Sequence, residues 1–194
     1  MDGKTYGQYC GLARALDHVG ERWTLLIVRE LLVGPRRYSE LRAALPGIAT
    51  NLLAARLRAL AADGIVHRGE AGGTYELTEF GRGLEDAVHG LVRWGGRWMG
   101  QRSRRDLFRA EWLVIALRAI LPGKRRGRVE LRVDDAVLHI ERGRVGLGPL
   151  AAPEAIVEGA AERVLAVAAG RASLTGLTIR GDRKAAAAAL GAST

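Results

Sequence analysis

The stretch from Gly34 to Gly81 decides the fold of the first half of this chain. It contains Gly-Pro-Arg-Arg-Tyr-Ser-Glu-Leu-Arg (34–42), Leu-Pro-Gly-Ile-Ala-Thr-Asn-Leu-Leu-Ala-Ala-Arg-Leu (45–57), Asp-Gly-Ile-Val-His-Arg (63–68) and Thr-Tyr-Glu-Leu-Thr-Glu-Phe-Gly (74–81). Apolar residues recur at helical spacing in the first two segments, and the last two contain short strands around a glycine-rich turn. The order of helix, turn, helix, hairpin and helix predicts a winged helix-turn-helix, which places one helix in the DNA major groove.

Helices are also predicted on both sides of this stretch. An apolar stripe over 9–19 and a second one over 23–32 indicate two helices, with Arg29 and Glu30 at polar positions of the second. Thr78 is predicted to cap a long helix that reaches about Met99.

The helix predicted from about Thr50 to Ala62 is the candidate recognition helix. Leu53, Leu57 and Leu60 form its buried stripe, so the 3.6-residue period places a different set of residues on the exposed face. Asn can pair bidentately with adenine, and the methyl groups of Thr and Ala can contact a thymine methyl. A surface helix of a small bundle would show the same stripe, but the hairpin and the flanking helices favour DNA reading. The residues predicted to face the bases are Thr50, Asn51, Ala54, Ala55 and Arg58.

Contacts to the DNA backbone are predicted around this helix. Arg36-Arg37 and Ser39 lie where the preceding helix begins, with Ser39 as its N-cap, and the free N–H groups of a helix end can hold a phosphate. Arg68 leads into the wing and is predicted to contact phosphate or the minor groove. Arg56 flanks the reading face, and it could reach the DNA backbone or pair with Glu40 inside the protein.

The charge of the chain agrees with a polyanionic partner without identifying one. The 194 residues include 30 Lys and Arg against 21 Asp and Glu, a net charge of +9. Residues 1–110 hold 17 basic and 12 acidic side chains, and residues 111–194 hold 13 and 9, so both halves are basic. A non-specific architectural DNA protein would show the same excess.

Several other functions are not indicated by the sequence. Cys10 is the only cysteine, which excludes an intrachain disulfide and a thiolate metal cluster. The four histidines have no ligand spacing, so neither a metal site nor a cofactor is predicted. The second half shows no paired catalytic acids or nucleophile–base pair, and we expect no enzyme. No apolar run has the length of a membrane span, and the polar start lacks the features of a signal peptide, so we expect a cytoplasmic protein.

The whole chain is predicted to be α+β, with a winged helix-turn-helix over 1–100, a polar linker over 101–110 and a small α/β domain over 111–194. Alternation predicts strands over 129–133 and 136–140. The later elements predicted are a helix from Pro153 to Ala169, a strand from Leu174 to Arg180, and a terminal helix from Arg183 to Leu190 capped by Asp182.

Motifs between residues 6 and 100 resemble, in order, the HxlR family of bacterial transcription regulators, which are relatives of the MarR-type winged helices. The matching pieces are Cys10, Gly20–Ile27, Gly34–Leu41, Pro46–Ile48, Leu57–Leu60, Asp63–Val66, Tyr75–Gly81 and Trp94-Gly95. The resemblance implies a homodimer on a palindromic operator, with the first and last helices of the domain forming the interface. Two departures are Ala49, where the family usually has a capping Ser, and a short wing over 69–73.

Cys10 matches a family position that senses oxidants or electrophiles in some members. The resemblance therefore makes Cys10 a candidate redox sensor. The alternative is a buried, small apolar side chain, which is the commoner state of a free cysteine.

The second domain resembles a shortened sterol-carrier-protein type domain in the strands over 129–140, the helix over 155–169 and the segment Gly176–Asp182. That family encloses an apolar tunnel between sheet and helices, which implies a site for a hydrophobic small-molecule effector. A structural or dimerising domain is the alternative. The residues expected to line the pocket are Val133, Leu138, Ile140, Ile156, Leu165, Leu174 and Ile179.

The sequence thus predicts a homodimeric transcription regulator that binds double-stranded DNA and responds to a hydrophobic compound. The principal alternative is a carrier of lipids or other hydrophobic ligands, or an interaction protein, in which the winged helix binds another protein.

Overall fold

The computed structural model describes residues 5–70, 73–99, 106–121 and 127–192. The chain forms two compact units, Met1–Val88 and His89–Thr194, which divide inside a helix. Half of the predicted linker, residues 101–105, and the middle of the predicted wing turn lie outside the described residues. No helix in the described ranges is both long and apolar enough to cross a membrane.

The N-terminal unit consists of helices around a small sheet. Its helices are α1 (Gly11–Val19), α2 (Thr24–Val33), α3 (Tyr38–Ala44), α4 (Thr50–Ala62) and α5 (Glu79–Arg82), and α6 (Glu85–Gly95) continues into the C-terminal unit and a 3-10 turn over Gly96–Trp98. The strands are β1 (Arg36–Arg37), β2 (Val66–Arg68) and β3 (Thr74–Leu77).

The core of this unit fixes the orientation of α4. Leu53, Leu57 and Leu60 are each at most 1% exposed, which confirms the predicted stripe. They belong to the same set of fully buried large side chains as Ile27 and Leu41, from α2 and α3. Burying a leucine side chain contributes about 1.5–3 kcal/mol, so the three together hold α4 firmly.

The small sheet has a strand that the sequence did not predict. Its order is β1-β3-β2 with antiparallel pairing throughout, and β1 contributes only two residues. Arg36 pairs with Tyr75, and Arg68 pairs with Tyr75 from the other side. Two residues show no alternation, so the pattern could not reveal this strand.

The prediction that Ser39 caps α3 is wrong. The N-cap position is Arg37, two residues before Ser39, and the helix begins at Tyr38. The carboxylate of Glu40 accepts a hydrogen bond from the backbone N–H of Arg37 at 2.6 Å. Glu40 thus satisfies a free donor at the helix start, which allows the helix to begin without a hydroxyl cap.

The single helix predicted over 78–99 is also wrong. Thr78 does cap a helix, because its Oγ1 accepts a bond from the N–H of Gly81 at 2.9 Å. That helix, α5, ends at Arg82, and α6 starts only at Glu85. Gly83 ends the first helix, and glycine is a poor helix former, so the apolar periodicity continued across a real break.

Glu30 was predicted at a polar position of α2 but is only 1% exposed. Its Oε1 lies 2.6 Å from Nη2 of Arg29, so the buried carboxylate has a charged partner. Buried charges are tolerated when paired in this way.

The C-terminal unit is a five-stranded sheet covered by helices. Its elements are α7 (Ala110–Ile120), β4 (Arg128–Val133), β5 (Ala136–Glu141), β6 (Arg144–Leu147), β7 (Ala155–Gly159), α8 (Ala161–Ala168), β8 (Thr178–Gly181) and α9 (Arg183–Leu190). The strand order is β6-β5-β4-β7-β8, in which β4 and β7 are parallel and the other neighbours are antiparallel.

One face of this sheet is apolar and the other is charged. Val129, Leu131 and Val133 of β4 are fully buried in one cluster with residues of α7, α8 and α9. On the opposite face, Arg132 forms ion pairs with Glu130 at 2.9 Å and with Glu158 at 3.3 Å. The alternation predicted for β4 and β5 is confirmed, as are Asp182 as a cap and the bounds of α9.

The predicted helix from Pro153 to Ala169 is wrong in its first part. Residues Ala155–Gly159 form β7, which pairs in parallel with β4, and only Ala161–Ala168 is helical. The β-branched pair Ile156-Val157 suits a strand, and pairing with β4 outweighs the helical preference of the surrounding alanines. The strand β6 was not predicted. The last strand is shorter than predicted, because Leu174 and Leu177 are buried in the loop before it.

We expect Gly81→Ala to destabilise the N-terminal unit by about 1–3 kcal/mol, the usual range for overpacking. A Cβ at Gly81 would overlap with the backbone carbonyl oxygen of Ile65, which cannot move aside like a flexible side chain. Chemical denaturation of the full-length protein measures the change.

The matched control is Gly95→Ala at the end of α6, where an added Cβ meets nothing within 4 Å. This control should be neutral or slightly stabilising, since alanine favours helix over glycine. Equal unfolding midpoints for the two variants would contradict the packing seen at Gly81.

Candidate nucleic-acid interface

The outward face of α4 has the composition of a DNA-reading surface. Asn51, Ala55 and Arg58 are all exposed on the side opposite the leucine stripe, as predicted. Thr50 is exposed at the N-terminal end, and Ala54 is half-buried beside it. The small alanine side chains leave room for close approach of a groove, and Nε of Arg58 lies along the helix, 3.4 Å from the carbonyl of Ala54.

The first turn of α4 compensates for a missing cap. Ala49 occupies the N-cap position and has no side-chain acceptor, yet the helix still begins at Thr50. The backbone N–H of Leu52 donates to Oδ1 of Asn51 at 2.9 Å. The amide oxygen of Asn51 therefore satisfies a helix-end donor, and its NH₂ group can still donate hydrogen bonds.

Two aromatic residues hold the turn between α3 and α4. The hydroxyl of Tyr38 donates to the carbonyl oxygen of Thr50 at 2.7 Å, which connects the first residues of the two helices. The ring of Trp23 lies against the turn, where a Cβ at Gly47 would be 3.7 Å from it. Trp23 itself has a left-handed φ of 80°. An aromatic residue in this region is strained, and packing must maintain it.

Arg56 forms a different contact from the internal one predicted. Its Nη2 lies 3.1 Å from Oε2 of Glu21, in the turn between α1 and α2. The alternative pairing with Glu40 is wrong, because the carboxylate of Glu40 accepts from the N–H of Arg37. Arg56 thus connects α4 to the turn between α1 and α2, near the buried side of α4.

The start of α3 presents exposed side chains, and one of its backbone N–H groups, that of Arg37, is bonded to Glu40. Arg37 and Ser39 are exposed, and Arg36 is half-buried in β1. Because Glu40 already accepts from the N–H of Arg37, its negative charge opposes a phosphate held by the backbone there. The guanidinium of Arg37 is the stronger candidate for a phosphate contact.

The wing carries a row of side chains across three strands. Nη2 of Arg68 donates to the hydroxyl of Tyr75 at 3.1 Å, and the guanidinium lies 5.0 Å from the ring centroid. Tyr75 is paired with Arg36 on its other side. No role in DNA contact was predicted for Tyr75. Its place between two arginines depends on β1, which no pattern revealed.

The residues predicted to line an effector pocket do not share one cavity. Val133, Leu138, Ile140 and Leu174 are buried in the closed core of the C-terminal unit, and Ile179 packs against it. Ile156 pairs with Glu130 on β4, so it lies on the charged face of the sheet. Leu165 lines a cavity that lies along α7 and α8.

Cys10 is exposed, so the alternative of a buried apolar side chain is wrong. It lies at the N-cap position of α1. The backbone N–H groups of Ala13 and Leu12 stabilise the thiolate and lower the pKa of the Cys10 thiol. Its role as a redox sensor stays a prediction. Within the described residues, no three His, Cys, Asp or Glu side chains are grouped as a metal site.

This arrangement defines the class of protein: a winged helix-turn-helix with an exposed, basic second helix and an arginine-bearing wing. A family described as HxlR-like helix-turn-helix matches residues 18–103. YybR, an uncharacterised transcriptional regulator of Bacillus subtilis, is 37% identical over 113 residues, which cover 54% of this chain and 86% of YybR. The regulator sll1512 of Synechocystis sp. is 33% identical over 102 residues, covering 50% and 76% respectively.

The chain therefore belongs to the HxlR-like helix-turn-helix family of transcription regulators. Among solved structures, the oxidised form of the redox regulator HypR is 35% identical, with 47% of this chain and 99% of that chain covered and a TM-score of 0.44. The family match ends at residue 103, so most of the C-terminal unit lies beyond it.

The lowered pKa of Cys10 predicts that it reacts with iodoacetamide at lower pH in the folded protein than in urea. The thiolate is the reactive form, so a depressed pKa moves the midpoint of the rate–pH profile downward. Because Cys10 is the only cysteine, mass spectrometry of the intact chain measures its alkylation alone. A folded-state midpoint equal to or above that of the unfolded chain would refute the effect of the backbone N–H groups.

Proposed function

We propose that the protein is a homodimeric transcription regulator that binds a palindromic operator with one α4 helix in each half-site. The observation that carries the proposal is the outward face of α4, on which Asn51, Ala55 and Arg58 are exposed while the leucine stripe is fixed in the core. The alternative of a carrier or interaction protein explains neither this face nor the family membership.

Base reading is assigned to the N-terminal half of α4. Asn51 has the donor and acceptor needed for adenine, and the methyl groups of Thr50, Ala54 and Ala55 can contact thymine. Arg58 lies one turn further on the same face and can reach a guanine edge or a phosphate. Each good bidentate pair discriminates against the wrong base by about 1–3 kcal/mol.

Backbone contact is assigned to the exposed residues beside α4. Arg37 and Ser39 lie at the start of α3, and Arg68 lies at the base of the wing. Tyr75 orients Arg68 through ring stacking and a hydrogen bond. Arg56 is reassigned from DNA contact to holding α4 in place through Glu21, since its side chain is only 24% exposed.

Dimer formation is proposed from apolar side chains that one chain leaves exposed. Tyr9, Leu12 and Leu16 on or beside α1 are exposed, and so are Trp94 and Trp98 near the end of α6. Trp94 and Trp98 stack edge to face, with centroids 4.4 Å apart. Large exposed apolar patches are typical of protein interfaces.

The effector of this regulator is proposed to bind the C-terminal unit. The sterol-carrier resemblance would place it in an apolar tunnel between sheet and helices. Four of the seven residues expected there are fully packed in the core, so a ligand among them would have to displace side chains. The proposed effector site therefore needs another location in the C-terminal unit.

We expect Asn51→Ala to lose discrimination between operator and random DNA, and Arg37→Ala to weaken binding to both by similar factors. Asn51 faces base edges and Arg37 the sugar-phosphate chain. Affinities are measured by fluorescence anisotropy on an operator selected from a random library by the full-length protein.

Arg144→Ala, an exposed arginine on β6, removes the same charge outside α4 and the wing and is the control for net charge. Unfolding midpoints are compared as well, because Asn51 also accepts from Leu52. Equal losses on operator and random DNA for both variants would count against the assignment.

We expect sedimentation to show a dimer at micromolar concentration. In that dimer, the two α4 helices should lie about 34–36 Å apart, which is one DNA turn. Leu12→Glu should shift the protein toward monomer, because it places a charge on the exposed apolar stripe of α1. Val137→Glu, on a partly exposed position of β5, is the control and should leave the dimer intact. A monomeric wild-type protein would refute the proposal.

A further inference from the structure

The C-terminal unit contains an aromatic cavity beside α7 and α8. Its volume is about 410 Å³, within the range of about 300–1,000 Å³ that holds small-molecule ligands. The cavity lies between the 3-10 turn, the segment before α7, and α7 and α8. Its apolar lining includes Phe108, Trp112, Leu113, Ala116 and Leu165, and it also reaches Trp98, whose exposed ring belongs to the proposed dimer surface.

The ionisable residues that line the cavity are both acidic. They are Asp106 and Glu162, and no Lys or Arg is among the described lining residues, although the chain has 30 basic side chains. Glu162 lies in the first turn of α8 and makes no ion pair or hydrogen bond within the described residues. Described arginines close in sequence to the lining residues have partners elsewhere.

Two arginines close in sequence illustrate this. Arg109 pairs with Glu111 at 3.2 Å, and Arg163 donates to the carbonyl oxygens of Ser173 and Thr175. The carboxylate of Glu162 is thus available to a positively charged ligand.

We propose that this cavity binds a lipophilic organic cation, with its apolar body among the aromatic rings and its positive charge toward Glu162. Indole rings attract a cation placed over their faces, which adds to the carboxylate. A neutral apolar compound would gain only the burial of its surface, and an anion would face the carboxylate of Glu162. This proposal gives a location and a charge to the effector of the proposed regulator. Binding in the cavity does not itself depend on DNA binding.

The test uses two probes of the same shape and opposite charge, tetraphenylphosphonium and tetraphenylborate, titrated into the full-length protein. Quenching of tryptophan fluorescence and isothermal titration measure affinity. We expect saturable binding of the phosphonium at least about tenfold tighter than that of the borate, although the net charge of +9 favours the borate.

Three variants locate the binding site. Glu162→Gln should reduce the preference for the cation by about two- to fivefold, as expected for an exposed charge pair. Ala116→Trp should fill the cavity and abolish binding. Trp112→Ala should weaken binding, and it keeps the test valid if the Ala116→Trp protein fails to fold. Asp135→Asn, an exposed carboxylate in the turn between β4 and β5, should change nothing.

Equal affinity for both ions, or unchanged binding in Glu162→Gln and Trp112→Ala, would overturn the proposal. An affinity that falls as protein concentration rises, in step with self-association, would also overturn it, because the cavity would then be an interface between copies. Operator binding is measured separately, so failure here leaves the DNA-binding proposal intact, and the reverse also holds.

Discussion

The burial of three leucines on one side of α4 is the constraint on which the candidate interface depends. Leu53, Leu57 and Leu60 are inserted into the core of the N-terminal unit, and together they contribute about 5–9 kcal/mol. Because successive residues of a helix are about 100° apart, rotating α4 by one residue would withdraw this stripe from the core. The same constraint therefore keeps Asn51, Ala55 and Arg58 outward.

Polar contacts adjust this framework rather than create it. The Tyr38–Thr50 hydrogen bond and the partly exposed Glu21–Arg56 ion pair each contribute about 1 kcal/mol or less, well below the leucine stripe. Their importance lies in position, since both hold α4 at points the core does not reach. In the wing, the ring of Tyr75 likewise holds the guanidinium of Arg68 in one orientation, which the charge of Arg68 alone would not specify.

The sequence predicted those parts of the fold that local periodicity specifies. The bounds of α4 and α9 and the alternation in β4 and β5 follow from helical or strand spacing within one segment. Strands β1 and β7 depend on distant partners, Tyr75 for Arg36 and β4 for Val157, so no local pattern could reveal them. The exposed residues of α4 could be predicted because they are the complement of a buried stripe. The partner of Arg56 and the cavity beside α8 could not, because both depend on how separate elements pack.

If the outward face of α4 lies against DNA bases, a photoreactive residue on that face should cross-link to the operator. A benzoylphenylalanine is placed at Ala55 in one protein and at Ala188, an exposed alanine on α9, in another. Operator affinity is measured first to confirm that each protein still binds. We expect cross-links from position 55 to bases at two places about one helical turn apart in the operator, and none from position 188. Cross-links from position 188 without any from position 55 would contradict it.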